Sequence, residues 1–195
     1  MKIIPINYDQ LKEYSKIPIS FSVNSIYDIV HTKNRTKNDP GIELIEKQIL
    51  NPYEKNYDDY ENPLDWIKKW DLKWNSDNWG FFLSQNDNGE ITGGASIALN
   101  VPGMQMCEGK DDLAVLWDIR VHPAHRGKSI GKSLFLEAEK FARSKKCSTL
   151  KIETQNTNVP ACKFYKSMGC TLGKITPHAY SEFPEEIQFF FYKNL

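Results

Sequence analysis

The sequence predicts a mixed α/β fold: a largely antiparallel sheet with a splayed parallel central strand pair, and helices on both faces. The antiparallel part is indicated by two apolar, β-rich runs, residues 80–83 and 91–99. Asn-Asp-Asn-Gly at 86–89 joins them, and these residues tolerate the positive φ of a hairpin turn. The parallel pair is indicated by residues 113–121 and 150–154, because two strands connected through a helix lie parallel in the sheet.

The other elements of the second half follow from periodicity and capping. Residues 131–146 are predicted to be helical, with one buried face formed by Leu134, Phe135, Ala138, Phe141 and Ala142. A second helix is predicted over 159–168, with Asn158 as its N-cap and Gly169 as its stop. A last strand is predicted over 187–192.

Before residue 79 the sequence is polar and irregular. A loop is predicted around Thr36, and helical periodicity is present in residues 42–50 and 63–70. We therefore expect a single domain over 1–195, composed of an N-terminal segment, 1–78, and a regular core, 79–195.

The composition disfavours several classes of partner. Lys plus Arg and Asp plus Glu number 25 each, so the chain has no electrostatic footprint for nucleic acid or an anionic membrane, and a small molecule is favoured. No apolar run approaches membrane-spanning length, and the first residues fit neither a signal nor a transit peptide. Cys107, Cys147, Cys162 and Cys170 form no CxxC pair and have no His at metal-ligand spacing. We therefore expect reduced thiols, no metal and a cytoplasmic protein.

Residues 113–131 run from a strand through a Pro-marked bend into a basic, Gly-flanked turn that opens a helix. Backbone N–H groups at a helix start have no intrahelical partner, so such a turn can bind phosphate oxygens. The predicted cradle consists of Arg126, Gly127, Lys128, Ser129, Ile130, Gly131 and Lys132. A nucleotide P-loop is disfavoured, since that motif needs four residues between its first Gly and GKS, whereas three separate Gly127 from Gly131. The alternative is a site for the pyrophosphate of an acyl-CoA.

The turn resembles the R/Q-x-x-G-x-G/A motif of the GNAT superfamily of N-acetyltransferases, with Ile119 and Val121 at its preceding apolar pair. Ser129 stands at the first Gly of the motif, which costs about 1 kcal/mol if that position needs positive φ. ETQ at 153–155, NVPAC at 158–162 and Tyr165 are similar to the streptothricin acetyltransferases, and the similarity covers roughly residues 53–195. The resemblance implies a GNAT-like fold and transfer of acetyl from acetyl-CoA, as co-substrate, to an amine of streptothricin, which is a resistance function.

The resemblance also implies roles for individual residues. Tyr165 stands where GNAT enzymes protonate the leaving sulfur, although helical spacing alone favours a core tyrosine. Strand alternation, and not the resemblance, makes Asp118 and Glu153 the candidate bases, because it can bring them together across the parallel pair. The alternative is that they form ordinary ion pairs with Arg120 and Lys151. The residues assigned to acetyl-CoA are Ile119, Arg120, Val121, the cradle from Arg126 to Lys132, Asn158, Ala161 and Tyr165.

Carboxylates and aromatic rings together suit a cationic acceptor, through ion pairs and cation–π contacts. The residues assigned to the acceptor are Tyr53, Asp58, Asp59, Trp66, Trp79, Trp117 and Tyr180. A solvated acidic loop followed by an amphipathic helix is the alternative for residues 53–70. A polyamine or a protein amino group would suit the same features, and a non-catalytic acyl-CoA-binding module is the alternative of another class. We expect a monomer or a homodimer.

Overall fold

The computed structural model describes residues 1–31, 42–60, 62–65, 67 and 78–195. The strands are β1 (Lys2–Ile6), β2 (Phe21–His31), β3 (Ile42–Lys55), β4 (Trp79–Gln85), β5 (Ile91–Leu99), β6 (Leu113–Val121), β7 (Thr149–Gln155), β8 (Thr171–Thr176) and β9 (Gln188–Asn194). The α-helices that lie wholly within the described residues are α1 (Leu11–Tyr14), α2 (Ile130–Ser144) and α3 (Val159–Ser167). No helix in the described part of the chain is both long and apolar enough to cross a membrane.

The larger sheet has the strand order β1-β4-β5-β6-β7-β9-β8, and β2 pairs with β3 in a separate two-stranded sheet. The pairs β1·β4, β4·β5 and β5·β6 are antiparallel, and β6·β7 is parallel. The predicted mixed sheet with a parallel central pair is therefore confirmed. The parallel register runs from Leu113↔Thr149 to Leu116↔Ile152 and stops there, so β7 pairs with only the first half of β6.

Two compact units divide the chain. The first contains Met1–Ser20, Asn56–Glu153 and Tyr192–Leu195, and the second contains Phe21–Lys55 and Thr154–Phe191. The expectation of a single domain with a change of character at residue 79 stays a prediction.

In the first unit, helices lie on both faces of the sheet. A Cβ placed on Gly93 would lie 3.0 Å from Leu134 in α2, whereas a Cβ on Gly94 would lie 2.6 Å from Tyr14 in α1. Because successive residues of a strand point to opposite faces, α2 and α1 cover opposite faces of β5. The predicted buried face of α2 is confirmed at Leu134, Phe135, Ala138 and Ala142, and the helix begins one residue before the predicted start.

The helix expected over residues 42–50 is wrong, since this segment belongs to β3 and pairs with β2 in an antiparallel hairpin. Its apolar residues fit a helical spacing, but they also fit a pleated strand that has a partner. Cross-strand polar contacts support the pairing: Ser25 Oγ donates to Glu46 at 2.7 Å, and Lys47 forms an ion pair with Asp28. The loop expected around Thr36 lies outside the described residues.

In the second unit, Asn156 joins three segments. Its main-chain N–H donates to the Ile187 carbonyl (3.0 Å), and its side-chain oxygen accepts from Ile187 N (2.9 Å). Its carbonyl accepts from Tyr27 N at 2.9 Å. Gly169, with φ 82°, ends the α3 segment as predicted, and the last strand is also confirmed, as β9.

Candidate active site

The predicted cradle is a strained turn in the first unit, between β6 and α2. Gly127 has φ 76° and Ser129 has φ 61°. A Cβ on Gly127 would meet nothing within 4 Å, so glycine is favoured there by the backbone angle and not by lack of space. Ser129 makes no side-chain cap for α2, and its left-handed conformation costs about 1 kcal/mol. The first N–H groups of α2 are therefore left without a capping side chain, as an anion site requires.

The basic side chains of the turn differ in their contacts. Lys128 and Lys132 are exposed. Arg126 is also exposed, but its side chain turns back: its Nε donates to the Val121 carbonyl at 3.1 Å, and its Nη2 donates to the Ser20 carbonyl.

The second half of β6 presents main-chain groups away from β5. His122 N donates to the Thr92 carbonyl at 3.0 Å. In an antiparallel pair the residues that hydrogen-bond to the neighbouring strand alternate, so Arg120, two residues before His122, also directs its main-chain groups toward β5. The amide and carbonyl groups of Ile119 and Val121 consequently point toward the side on which β7 has ceased to pair. An extended amide-containing ligand such as the pantetheine arm of acetyl-CoA fits such a strand edge.

A β-bulge precedes this edge. Ser96 pairs with Asp118 and Ile97 pairs with Leu116, which leaves Trp117 as an extra residue of β6. Trp117 packs against the core that contains Tyr14, and the neighbouring Asp118 side chain also reaches Tyr14. The bulge therefore places two consecutive side chains on the α1 face of the sheet.

Asp118 lies in a buried polar cluster. Its Oδ2 accepts from Tyr14 Oη and from Arg120 Nε, both at 2.7 Å. Burial, and then the Asp118 carboxylate, raise the pKa of Tyr14 well above its usual value, so the phenol remains a donor. Burial opposes the charge of Arg120, but Asp118 and Tyr14 hold its pKa above the usual value. The ion-pair alternative considered for Asp118 is the arrangement found.

Glu153, the other candidate base, follows the last residue of β7 in register with β6 and is half-buried. Lys151, two residues earlier on β7, is buried and pairs with Glu108. Its Nζ donates to Glu108 Oε1 at 2.8 Å and to the Met106 carbonyl at 3.2 Å. Hydrogen bonds from Lys110 and Lys151 lower the pKa of Glu108 to about 2.

In the second unit, Asn158 caps α3 as predicted. Its Oδ1 accepts from Ala161 N at 3.2 Å, so the amide of Ala161 is engaged by the cap.

Tyr165 is 6% exposed, and its ring centroid lies 5.5 Å from Phe164 and 5.9 Å from Phe191. This packing suits a core tyrosine, and it also suits an acid held in an apolar environment.

The aromatic residues assigned to the acceptor are only partly accessible. Trp79 is buried and stacks on Phe81, with centroids 5.7 Å apart, and Trp117 meets Trp79 edge-on at 5.6 Å. Tyr180 is half-buried, and its hydroxyl accepts from Gln155 Nε2 at 3.2 Å. Trp66 lies outside the described residues.

The polar acceptor residues form part of a local turn. Asp58 Oδ2 accepts from Ile19 N at 3.3 Å, and Asp59 Oδ1 accepts from Asn56 Nδ2 at 2.8 Å. Tyr53 lies on β3 and is 45% exposed. Among the residues the structure describes, no group of three or more His, Cys, Asp or Glu could hold a metal ion.

Sequence reasoning missed Tyr14 and residues 17–20 as partners of the site. Tyr14 lies 104 positions from Asp118, and Ser20 lies 106 positions from Arg126. No local motif marks either contact, and the one available signal was the need of buried Asp118 and Arg120 for hydrogen-bond partners.

Four similarities to known proteins bear on this site. The chain matches the Acetyltransferase (GNAT) family over residues 42–170. It is 32% identical over 185 residues to a streptothricin acetyltransferase from Escherichia coli, a match that covers 95% of this chain and 88% of that protein. A nourseothricin acetyltransferase structure superposes with a TM-score of 0.74 at 19% identity, over 99% of this chain and 97% of the other. A Bacillus anthracis structure in complex with acetyl coenzyme A gives a TM-score of 0.76 at 23% identity, over 100% and 99% of the two chains. At these identities the two structures establish the shared fold.

Proposed function

Because this chain belongs to the GNAT acetyltransferase family and is an acetyl-CoA-dependent N-acetyltransferase, we propose that it acetylates an amine of streptothricin and so confers resistance to that antibiotic. The proposal for the acceptor is supported by the match over nearly the whole chain to the Escherichia coli streptothricin acetyltransferase. The proposal for the acetyl-CoA binding site rests on the turn at Gly127 and Ser129 and on the strand edge of β6.

The observation that carries the donor site is the end of β6·β7 pairing at Leu116↔Ile152. Beyond it, the main-chain groups of Ile119 and the N–H of Val121 face the side on which β7 has ceased to pair and would hydrogen-bond the amides of the pantetheine arm, whereas the Val121 carbonyl accepts from Arg126 Nε at 3.1 Å. The N–H groups at Ile130 and Gly131, with Lys128 and Lys132, supply donors and charge for the pyrophosphate. Holding both substrates in one orientation contributes about 7 to 11 kcal/mol in well-oriented systems.

The transfer also needs a base and an acid. We favour Glu153 as the base, because it directly follows the last β7 residue in register with β6, whereas Asp118 accepts from Tyr14 and Arg120. The base removes a proton from the ammonium group of the acceptor, and the neutral amine is then the nucleophile. Tyr165 is the candidate acid for the departing thiolate, because a phenol can donate without bringing a charge into an apolar environment.

Direct transfer is favoured over an acyl-enzyme. Burial raises the pKa of Cys162 to about 12, so its thiol is neutral and a poor nucleophile near neutral pH. The amine then attacks the thioester carbonyl of acetyl-CoA, the C–S bond breaks, and CoA leaves as the free thiol.

Release of free CoA thiol, measured with several amines, tests the proposal. We expect streptothricin to give a kcat/KM that exceeds those of a polyamine and of a lysine-containing peptide by about tenfold or more. Comparable rates with the peptide would favour acetylation of protein amino groups. Binding of acetyl-CoA without thiol release from any amine would leave only an acyl-CoA-binding module.

A further inference from the structure

Residues 17–20, which we call the 17–20 segment, are held by side chains from distant parts of the first unit. Arg120 Nη1 donates to the Ile17 carbonyl at 3.0 Å, and Asp58 Oδ2 accepts from Ile19 N at 3.3 Å. Arg120 is 4% exposed, so this contact is shielded from water. The segment therefore has a fixed place beside the end of β6.

Arg126 makes the third contact with this segment. Its Nη2 donates to the Ser20 carbonyl, while its Nε donates to the Val121 carbonyl at 3.1 Å. A guanidinium group is planar and presents its donors in a rigid fork, so one side chain can fix the distance between two carbonyls. Here those carbonyls belong to the end of β6 and to the 17–20 segment.

The turn that follows Arg126 needs such support. Gly127 and Ser129 both have positive φ, and a non-glycine residue in that conformation persists only where the surroundings hold it. Arg126 itself is extended, with φ −64° and ψ 161°, and it begins this strained stretch.

We propose that Arg126 is a positioning residue for acetyl-CoA: it fixes the turn through the carbonyls of Val121 and Ser20, and does not serve mainly as a charge for the phosphates. This inference rests on the proposed donor site. It also makes the 17–20 segment a supporting part of that site.

The test separates the donor geometry of residue 126 from its charge. Arg126→Lys keeps the charge but loses the fork, Arg126→Gln keeps planar N–H donors without charge, and Arg126→Met has neither. Lys128→Met is the matched control, because it removes an exposed charge from the same turn. The dissociation constant for acetyl-CoA is measured by calorimetry on the full chain at low and at high salt.

We expect Arg126→Met to weaken acetyl-CoA binding by about tenfold, with the Gln and Lys variants intermediate and close to each other. Their salt dependence should match that of the wild type, whereas Lys128→Met should reduce it, because exposed charge contacts are screened by salt. A Lys variant equal to the wild type, together with a Gln variant as weak as the Met variant, would overturn the proposal.

Hydrogen exchange without acetyl-CoA gives a readout independent of binding. Peptides that cover the 17–20 segment and residues 127–131 should exchange faster in Arg126→Met than in Lys128→Met. Equal exchange in the two variants would refute the positioning role. Failure of the wild-type chain to bind acetyl-CoA would refute the proposed donor site instead, and the exchange result would still decide the contact made by Arg126.

Discussion

The helices α2 and α3 begin in opposite ways. α2 starts behind Ser129, which has φ 61° and supplies no side-chain cap. α3 starts behind Asn158, whose side-chain oxygen accepts from Ala161 N at 3.2 Å. The first helix therefore leaves its initial N–H groups for another partner, and the second satisfies one of them from its own sequence.

We interpret this difference as one between a helix start that binds a ligand and a helix start that positions a side chain. The start of α2 lacks a cap and includes a strained residue, which would be a poor solution if stability were its only function. The start of α3 is stabilised locally, and it fixes the helix that carries buried Tyr165. The predictions that follow test this assignment of α2 to the donor phosphates and of α3 to the reacting group.

The largest effect is expected from Tyr165→Phe in α3. Removing the phenolic proton donor should lower kcat by about 10² to 10⁴ and leave acetyl-CoA affinity unchanged. Tyr192→Phe is the matched control, because it also removes a phenol hydroxyl from a half-buried side chain, one that donates to Glu108 at 3.3 Å. We expect this variant to retain turnover. Steady-state thiol release and equilibrium binding measure the two quantities. A Tyr165→Phe enzyme with normal kcat would leave α3 without the role proposed for it.

A smaller effect is expected from charge at the start of α2. Lys128→Glu should weaken acetyl-CoA binding by about tenfold at low salt, since it places a carboxylate where the donor phosphates are proposed to lie. Lys140→Glu makes the same change of charge at an exposed position farther along, within α2, and should have little effect. Equal dissociation constants for the two variants would show that the start of α2 does not bind the phosphates.

The two helix starts also show what sequence can predict. Asn158 and Gly169 were predicted to bound α3 because capping is decided by residues a few positions apart. The hairpin of β4 and β5 was predicted for the same reason, from its Asn-Gly turn. From the sequence we can state the free-energy cost of serine at position 129 if its φ is positive. Whether its φ is positive depends on the packing of the whole turn.

Contacts between distant residues could not be predicted in this way. The sequence offered Arg120 as one partner for Asp118, but Tyr14, the second, comes from a segment 104 positions away. Residues 42–50 fit both a helix and a strand, and the partner strand β2 decides between them. Where a residue type is compatible with several partners, tertiary packing makes the choice.

Effects of about 1 kcal/mol, opposite in sign, are expected for the two capping positions. Ser129→Gly should stabilise the protein by about 1 kcal/mol, because glycine adopts positive φ without strain. Asn158→Ala should destabilise it by about 1 kcal/mol through loss of the cap on Ala161 N. Urea unfolding measures both, and destabilisation by Ser129→Gly would contradict the strain assigned to the α2 start.

The smallest effect on activity is expected for Cys162, which lies in the first turns of α3. Its thiol is 0% exposed, its Sγ lies 3.7 Å from the Gln155 carbonyl, and burial raises its pKa to about 12. Near pH 8 the thiol is therefore neutral, so it is a poor nucleophile for carrying the acetyl group. Cys162→Ala should keep kcat within about twofold and lose about 1 kcal/mol of stability from the missing sulfur. Mass spectrometry of the wild-type enzyme with acetyl-CoA alone should detect no acetylated cysteine. Acetylation at Cys162 with loss of turnover in the Ala variant would instead make α3 the site of a covalent intermediate. The start of α3 would then take part in the chemistry itself, and its contrast with the start of α2 would no longer hold.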